Sequence, residues 1–386
     1  MYPSMVVDLK LIVRMDSLWL LSSISRFLSE EGIRSYLVGG FVRDILLGRD
    51  TADIDIAVTD DALGVADRVA ASLGGKYIPL DEANGVSRVI LAEGRREIDF
   101  AALKGDIEDD LSRRDFTIDA IAIELDSFTK SPVAPDGERA ELDLSSDLFI
   151  DPCHGQSDLN LRIVRAVSDM AFPADPARLI RAVRLAAELG FSIDGDTEAL
   201  IRRHSHLIAG VAGERVREEL LRLLVLPRAG PWLAYLDELG ILTALMPELM
   251  PARGVSQPMA HVWDVFDHSL RTVAAVEFLL REGTWEFGDD VLAAVPWSAR
   301  LSQHFDQETG SGSTRRALLK LAALLHDIAK PSTKTTDADG RARFLGHPPA
   351  GAAMAAAILE RLRFSTREIK LVELMVRHHL RPTQLS

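Results

Sequence analysis

The segment Leu37-Val-Gly-Gly-Phe-Val-Arg-Asp44, followed by Asp53-Ile-Asp55, constrains this chain more than any other. Residues two apart on a strand point to the same face, so Asp53 and Asp55 converge while Ile54 turns into a core. Two carboxylates on one rigid strand can hold Mg²⁺ ions against a triphosphate. Gly39 and Gly40 let backbone N–H groups approach phosphate oxygens. The helix that follows, carrying Arg43 and Asp44, favours anions at its start, and Gly40, Arg43 and Arg114 are expected to hold the triphosphate, with Asp44 beside them in the nucleotide site. A D-x-D alone is common on surfaces and a glycine pair is usually a turn. In this order, with this spacing, they predict a nucleotidyl-transfer site.

The bounds suit such an enzyme. At 386 residues the chain has room for two to four domains. The single cysteine, Cys153, excludes an internal disulfide framework and fits a reducing compartment. No apolar run reaches the length of about 18 residues that a membrane helix needs, and no basic leader with a cleavage site is evident, so a cytoplasmic protein with no membrane contact is expected. The net charge of −14 argues against broad nucleic-acid affinity. Between Leu161 and Arg228, however, 11 Arg face 9 acidic residues, a local net of +2, leaving −16 elsewhere. A basic strip can guide RNA on an acidic protein, and it can equally be a helical surface laced with salt bridges.

Periodicity predicts a helix over Asp16–Glu30, a strand at Tyr36–Val38, the carboxylate strand Asp53–Val58 and a helix over Ala62–Leu73. Val86–Ala92 and Glu97–Ala101 read as strands paired around a Glu93-Gly94 turn. Ile118–Leu125 fits a strand or a helix. Pro132–Asp147, polar with Pro and Gly, reads as a boundary, and from about Leu159 onward the pattern is helical. Gly283–Ser313 reads as a loop.

Three further clusters carry chemistry. Arg113-Arg114-Asp115 can neutralise phosphate charge and orient a sugar hydroxyl. It follows Asp99, a carboxylate on a predicted strand able to serve as general base or to complete a metal site. Asp175-Pro-Ala-Arg178 opens a helix in which Arg181 and Arg184 continue a basic stripe; its bland reading is a capped helix with an exposed arginine edge. A carboxylate beside a guanidinium can take the exocyclic amine and the ring nitrogen of cytosine or adenine, and leaves guanine and uracil mismatched. Finally, His268, His326-Asp327, His347 and His378-His379 supply imidazole and carboxylate ligands on helices, suited to a divalent metal.

The string LVGGFVRDILLGRDTADIDIA resembles the polymerase-β-like nucleotidyltransferases, and in particular their class II tRNA nucleotidyltransferase and poly(A) polymerase branch. The resemblance implies an α+β fold: a nucleotidyltransferase head (1–140) with a mixed sheet, an all-α neck and body (141–255) and an all-α HD-type domain (256–386). RRDFTIDA resembles the family's RRDFTINA segment, which contacts phosphates and ribose through the positions of Arg114 and Asp115; Asp119 stands where the family has Asn. DPARLIRAVRLAAELGF resembles the helix that selects CTP and ATP, with Ala174 in place of the usual Glu. Asp151-Pro-Cys-His-Gly155 with Asp158 resembles the family's linker, and Gly213-Glu214-Arg215 onward its segment bracing the base-selecting helix.

The histidine pattern resembles HD phosphohydrolases, without their late aspartate, and implies His268, His326, Asp327 and His347 as ligands of a second metal. The expected activity is transfer of CMP and AMP from CTP and ATP to a tRNA 3′ end, in full CCA addition, with Mg²⁺ on Asp53 and Asp55. No obligatory protein partner is expected. The short connection between Phe100 and Ile107 resembles that of CC-adding members, and CC or A addition is the alternative. The tail that docks the tRNA elbow in the family is not seen. The rivals are an HD phosphohydrolase with a nucleotide-sensing N-terminal module and a non-catalytic RNA-binding protein.

Overall fold

The computed structural model describes residues 8–51, 53–91, 96–136, 138–257, 262–283, 290–310 and 312–381. The chain divides into two compact units, Met1–Ala171 and Phe172–Ser386.

The first unit is built on a seven-stranded mixed sheet. Its strands are β2 (Ser35–Val38), β3 (Asp53–Val58), β4 (Lys76–Asp81), β5 (Val86–Leu91), β6 (Arg96–Ala102), β7 (Ala122–Glu124) and β10 (Phe149–Ile150), in the order β10-β7-β2-β3-β6-β5-β4. Only β3 and β6 run parallel. Ile54, Ile56, Ile98 and Phe100 are buried on one face of that parallel pair. This alternation commits the intervening carboxylates to the other face. Helices α1 (Met15–Glu30), α2 (Gly39–Leu46) and α3 (Ala62–Leu73) accompany the sheet. Asp61 caps α3 by accepting from Leu63 N and Gly64 N, both at 3.2 Å, and Gly74 ends it at φ +68°. Two short helices follow, α4 (Ile107–Leu111) and α5 (Leu125–Lys130). The undecided stretch Ile118–Leu125 resolves into a 3₁₀ turn at Thr117–Asp119 followed by β7. The Glu93-Gly94 turn lies outside the described residues.

Pro132–Asp147 is not a linker. It forms β8 (Val133–Asp136) and β9 (Arg139–Ser145), which join β1 (Asp8–Arg14) in a second sheet ordered β1-β9-β8. Ala140, Leu142 and Leu144 are buried at every second position, and Leu142 and Ala140 stand opposite Leu11 and Val13. The polar average of the segment hid this period. Helix α6 (Gly155–Leu161) completes the unit, with Asp151 accepting from Gly155 N (2.6 Å) and Gln156 N (2.9 Å) at its start.

After the helical turn α7 (Ala171–Ala174), the second unit is helical, as expected. It contains α8 (Arg178–Leu189), α9 (Gly195–His204), α10 (Gly213–Val225), α11 (Ala229–Glu238), α12 (Ile241–Leu245), α13 (Val265–Leu279), α14 (Asp290–Ala294), α15 (Ala299–Asp306), α16 (Arg315–Leu325), α17 (Lys330–Thr333), α18 (His347–Arg361) and α19 (Thr366–His378). The stretch Gly283–Ser313, read as a loop, contains α14, α15 and part of a small hairpin; residues 284–289 and 311 are outside the description. Ser298 caps α15 through Leu301 N, and Trp297 stacks on Phe305 at a 6.1 Å centroid separation. Such local contacts stabilise short helices in a polar stretch. Buried Lys320 binds Glu277 (3.0 Å), Glu282 (2.7 Å) and the Leu226 carbonyl (2.9 Å), so its charge is compensated inside the unit.

Candidate active site

In the first unit, β3 places Asp53 exposed and Asp55 half-buried on the same face. The parallel register sets Asp55 beside Asp99 and Asp53 beside Glu97, so four carboxylates share that face. Arg88 on β5 compensates them. Its Nε and Nη2 donate to Asp99 Oδ1 (2.7 Å) and Oδ2 (2.9 Å), and it also pairs with Glu97. Both oxygens of Asp99 are thereby engaged. Neither Arg88 nor Glu97 was singled out from the sequence; the signal was available in the alternation of β5 and β6, once their register is known.

Gly39 sits at φ +66°, and a Cβ there would lie 3.0 Å from both Asp55 Oδ2 and Arg114 Nη1. The turn, the carboxylate strand and the Arg113-Arg114 segment therefore meet at one backbone atom. At Gly40 the nearest neighbour is the Arg43 guanidinium, 3.4 Å from a notional Cβ. Arg43 itself is buried between two carboxylates, donating from Nε to Asp44 Oδ1 (2.9 Å) and from Nη1 to Asp119 Oδ1 (2.7 Å). Asp119, where an Asn was the expectation, serves as an acceptor for a cation. Arg114 reaches Asp110 Oδ2 at 3.3 Å, and Asp115 accepts from Phe116 N at 3.0 Å.

That arginine segment is held from behind. Thr117 N donates to Arg165 O (2.9 Å), Thr117 Oγ1 to buried Asp158 (2.7 Å), and Arg165 Nε to the same carboxylate (3.0 Å). Gly155 passes so close to Thr117 that a Cβ would lie 2.1 Å from its carbonyl oxygen. The motif around Asp151–Asp158 is thus a brace for the arginine segment.

In the second unit, α8 begins at Arg178, and Asp175 stands in the turn before it, accepting from Ala177 N at 3.2 Å. Arg215 on α10 grips Asp175 with both terminal nitrogens, Nη1 to Oδ1 at 2.9 Å and Nη2 to Oδ2 at 2.7 Å. Arg178 Nε stands 3.9 Å from Asp175 Oδ2. Burial disfavours the charged carboxylate, but Arg215, the Ala177 amide and Arg178 outweigh it and hold Asp175 below the ordinary value. Glu219, one turn along α10, accepts from Arg184 Nε at 2.7 Å and lies 3.8 Å from Arg181. Arg184 is buried and pairs also with Glu188, so it does not belong to an exposed arginine edge.

The histidines of the second unit converge on Asp327, which is 1% exposed. His326 and His268 approach Oδ2 at 3.0 and 3.4 Å; His347 and His379 approach Oδ1 at 3.2 and 3.6 Å. His379 thus joins the four residues expected. His326, His347 and His379 each set Nδ1 against the carbonyl three residues earlier, at 2.8, 2.7 and 2.7 Å. With the proton on Nδ1, each Nε2 is left as an acceptor facing the carboxylate. Such a ring of acceptors calls for protons or a metal ion. Asp327 Oδ1 is buried with no aligned donor, and Lys330 covers Oδ2 at 2.7 Å. Two ligand groups, His268/His326/Asp327 and Asp327/His347/His379, have the spacing to hold a cation. Among the described residues, no helix is long and apolar enough to cross a membrane.

Comparison with known proteins matches residues 35–165 to the poly(A) polymerase head domain, 190–253 to the probable RNA- and SrmB-binding site of polymerase A, and 265–386 to the HD domain. The chain is 38% identical over 315 residues to a CC-adding tRNA nucleotidyltransferase of Geobacter sulfurreducens, covering 81% of this chain and 63% of that protein. It is 35% identical over 350 residues to an A-adding tRNA nucleotidyltransferase of Deinococcus radiodurans, covering 89% and 68%. The chain therefore spans less than two thirds of the first relative's length. The solved structure of a tRNA-processing enzyme in an apo form superposes with a TM-score of 0.64 at 20% identity, over 97% of this chain and 81% of that one. The Thermotoga maritima CCA-adding enzyme, complexed with tRNA, gives 0.55 at 21% identity, over 98% and 86%. These two likenesses show the fold. The head, RNA-binding and HD segments in this order, with relatives matched at this identity, place the chain in the tRNA nucleotidyltransferase and poly(A) polymerase family.

Proposed function

We propose that the chain transfers CMP and AMP from CTP and ATP to the 3′ end of tRNA without a template, in the cytoplasm. The observation that carries this reading is the meeting of Gly39, Asp55 and Arg114 at contact distance, on the face shared by Asp53 and Asp99. Backbone N–H groups at Gly39 and Gly40 receive phosphate oxygens, Arg114 neutralises them, and Asp115 orients the ribose. Arg43, fixed by Asp44 and Asp119, holds the turn in shape. The 3′-hydroxyl oxygen attacks the α-phosphorus and forms the new phosphodiester bond, its proton passes to water or a carboxylate of the shared face, and the bond from the α-phosphorus to pyrophosphate breaks. Asp53 and Asp55 would hold divalent ions, which would supply Lewis-acid activation of the hydroxyl and charge neutralisation on the leaving group. Asp99, held by Arg88, completes the carboxylate set. Asp175 and Arg178 choose the base, with Arg181 and Arg184 behind them on the same helix. The working parts are a head, a neck and body, and an HD-type domain; the head runs past the expected limit of 140, because β9 (Arg139–Ser145) and β10 (Phe149–Ile150) pair within its sheets. Asp53→Ala tests the scheme: incorporation should vanish with the unfolding temperature unchanged, and surviving activity would refute it.

A second reading, CC addition alone, is favoured by one observation. Only Leu103-Lys104-Gly105-Asp106 connect β6 to α4, the short connection that CC-adding members share. Product length on CTP plus ATP separates the two. In the HD-type domain, His268, His326, Asp327, His347 and His379 fit a divalent metal that would supply Lewis-acid chemistry toward phosphate esters. Mutation of Asp327 discriminates the rival in which this site is the working one: transfer should persist.

A further inference from the structure

We propose that Arg88 is a metal-selecting positioning residue. By clamping Asp99 and Glu97 it withholds them from the divalent ions at Asp53 and Asp55, leaving a two-carboxylate site suited to Mg²⁺ and poor for Ca²⁺. The inference rests on the reading that Asp53 and Asp55 hold the catalytic ions. It goes beyond that reading in giving a residue of β5, outside both carboxylate strands, control over which ion is accepted.

The register of β3 and β6 gathers more acid than Mg²⁺ needs. Asp55 stands beside Asp99 and Asp53 beside Glu97. Neighbouring strands lie about 4.8 Å apart, so carboxylates paired in this way on one face can share a cation. Left unopposed, this face would offer a cation all four. Ca²⁺ takes about six to eight oxygen ligands in adaptable geometry, and its affinity climbs with the number of charged ones. Mg²⁺ keeps several waters and is held by one or two carboxylates together with substrate phosphates.

Arg88 divides the four. Strand β5 buries Ser87, Val89 and Leu91 and turns Arg88 to the carboxylate side. Antiparallel pairing sets Arg88 directly opposite Asp99. Its Nε and Nη2 donate to Asp99 Oδ1 (2.7 Å) and Oδ2 (2.9 Å), and its Nη1 pairs with Glu97. All three guanidinium nitrogens are thus committed to β6. Asp55 lies one strand further on, at the flank where Gly39 and Arg114 meet. Lone pairs remain on Asp99, but an ion using them would sit within about 5 Å of a fixed guanidinium, and like charges at that distance repel. On the same side of β5, the neighbours Val86 and Ile90 carry no charge, so this strand has no second cation to replace Arg88.

The test is a double-mutant cycle on uptake of radiolabelled Ca²⁺ by the whole chain without nucleotide, read by equilibrium dialysis. The proteins are wild type, Arg88→Gln, Asp99→Asn and the double variant, each checked by thermal unfolding. The imidazole cluster around Asp327 is a poor Ca²⁺ site, and uptake that survives Asp53→Ala is subtracted. Arg88→Gln should raise Ca²⁺ affinity about tenfold or more. In that background Asp99→Asn should remove most of the gain; with Arg88 in place it should change uptake far less. Release of Asp99 should also lower, by about tenfold, the Ca²⁺ concentration that halves Mg²⁺-supported CMP incorporation. Arg88→Lys, which keeps the charge without the fork, should lie between Arg88→Gln and wild type.

A guanidinium acting only as a nearby charge would give a gain that Asp99→Asn leaves intact. Equal effects of Asp99→Asn in the two backgrounds therefore overturn the inference, as does wild-type Ca²⁺ affinity in Arg88→Gln. If Arg88→Gln does not fold, Asp99→Asn is set against Asp55→Asn with Arg88 in place. A loss of uptake as large as that of Asp55→Asn makes Asp99 a ligand and overturns the inference; a much smaller loss upholds it. These outcomes leave the reading of Asp53 and Asp55 standing. Mg²⁺-supported incorporation that survives Asp53→Ala overturns that reading and this inference with it.

Discussion

Gly39 offers a way to separate backbone strain from site geometry, because Gly48 is its matched control. Both glycines sit at φ +66°. A Cβ at Gly48 meets nothing within 4 Å, whereas one at Gly39 lies 3.0 Å from Asp55 Oδ2 and from Arg114 Nη1. Placing an L-residue in the left-handed region costs about 1–2 kcal/mol at either position. For a unit of this size each kcal/mol lowers the unfolding temperature by roughly 2–4 °C. Gly39→Ala and Gly48→Ala should therefore destabilise the protein by similar amounts. Only Gly39→Ala also displaces the carboxylate and the guanidinium of the site. Displacements approaching 1 Å around a reacting centre cost up to about a hundredfold in rate. The expected result is a fall of about tenfold to a hundredfold in kcat for CMP incorporation by Gly39→Ala, with Gly48→Ala near wild type, both measured well below their unfolding temperatures. Equal kcat losses in the two variants, or wild-type kcat in Gly39→Ala, would refute the placement of Gly39 in the site.

Other changes have directions set by the contacts. Gly155→Ala puts a Cβ 2.1 Å from the Thr117 carbonyl and 2.8 Å from Ile121 Cγ1. Overpacking of this kind costs about 1–3 kcal/mol or more, so thermal unfolding should come markedly earlier than in wild type. In an Asp53→Ala background, Asp327→Asn should abolish the remaining Mn²⁺ uptake, read by equilibrium dialysis, while CMP incorporation by Asp327→Asn alone stays at wild-type level. Buried Glu368 is held below its ordinary value because hydrogen bonds from Ser365 and Arg217 outweigh burial. A depressed folded value means its contribution is present above the unfolded value of about 4.3 and lost as pH falls through the lower, folded one. Unfolding curves of wild type and Glu368→Gln should thus differ most near neutrality and converge in acid; a gap that widens in acid would contradict this sign.

The parts of the site legible in the sequence are those set by local period. Asp53 and Asp55 share a face because strands alternate, and the glycine turn is read from two adjacent residues. Asp175 and Arg178 lie close because they are three apart at a helix start. What stayed hidden depends on partners distant in sequence. Arg88 meets Asp99 only through the β5–β6 register, and Arg215 meets Asp175 across 40 residues. Asp119 read as a departure in sugar recognition until Arg43, 76 residues away, proved to be its partner. His379 and His378 were indistinguishable as neighbours; the helix rotation of α19 turns the first toward Asp327. The β8–β9 hairpin was missed because polar outer residues and turn formers masked a buried period-two face.

The most direct measurement of the central claim is the length of the product made with Mg²⁺ on tRNA ending at its discriminator base. Wild type should add two residues with CTP and a third only when ATP is present. Stopping at two with both nucleotides would select CC addition within the same mechanism. Failure to extend this RNA, and tRNA already ending in CC as well, by a folded wild-type protein would contradict the account.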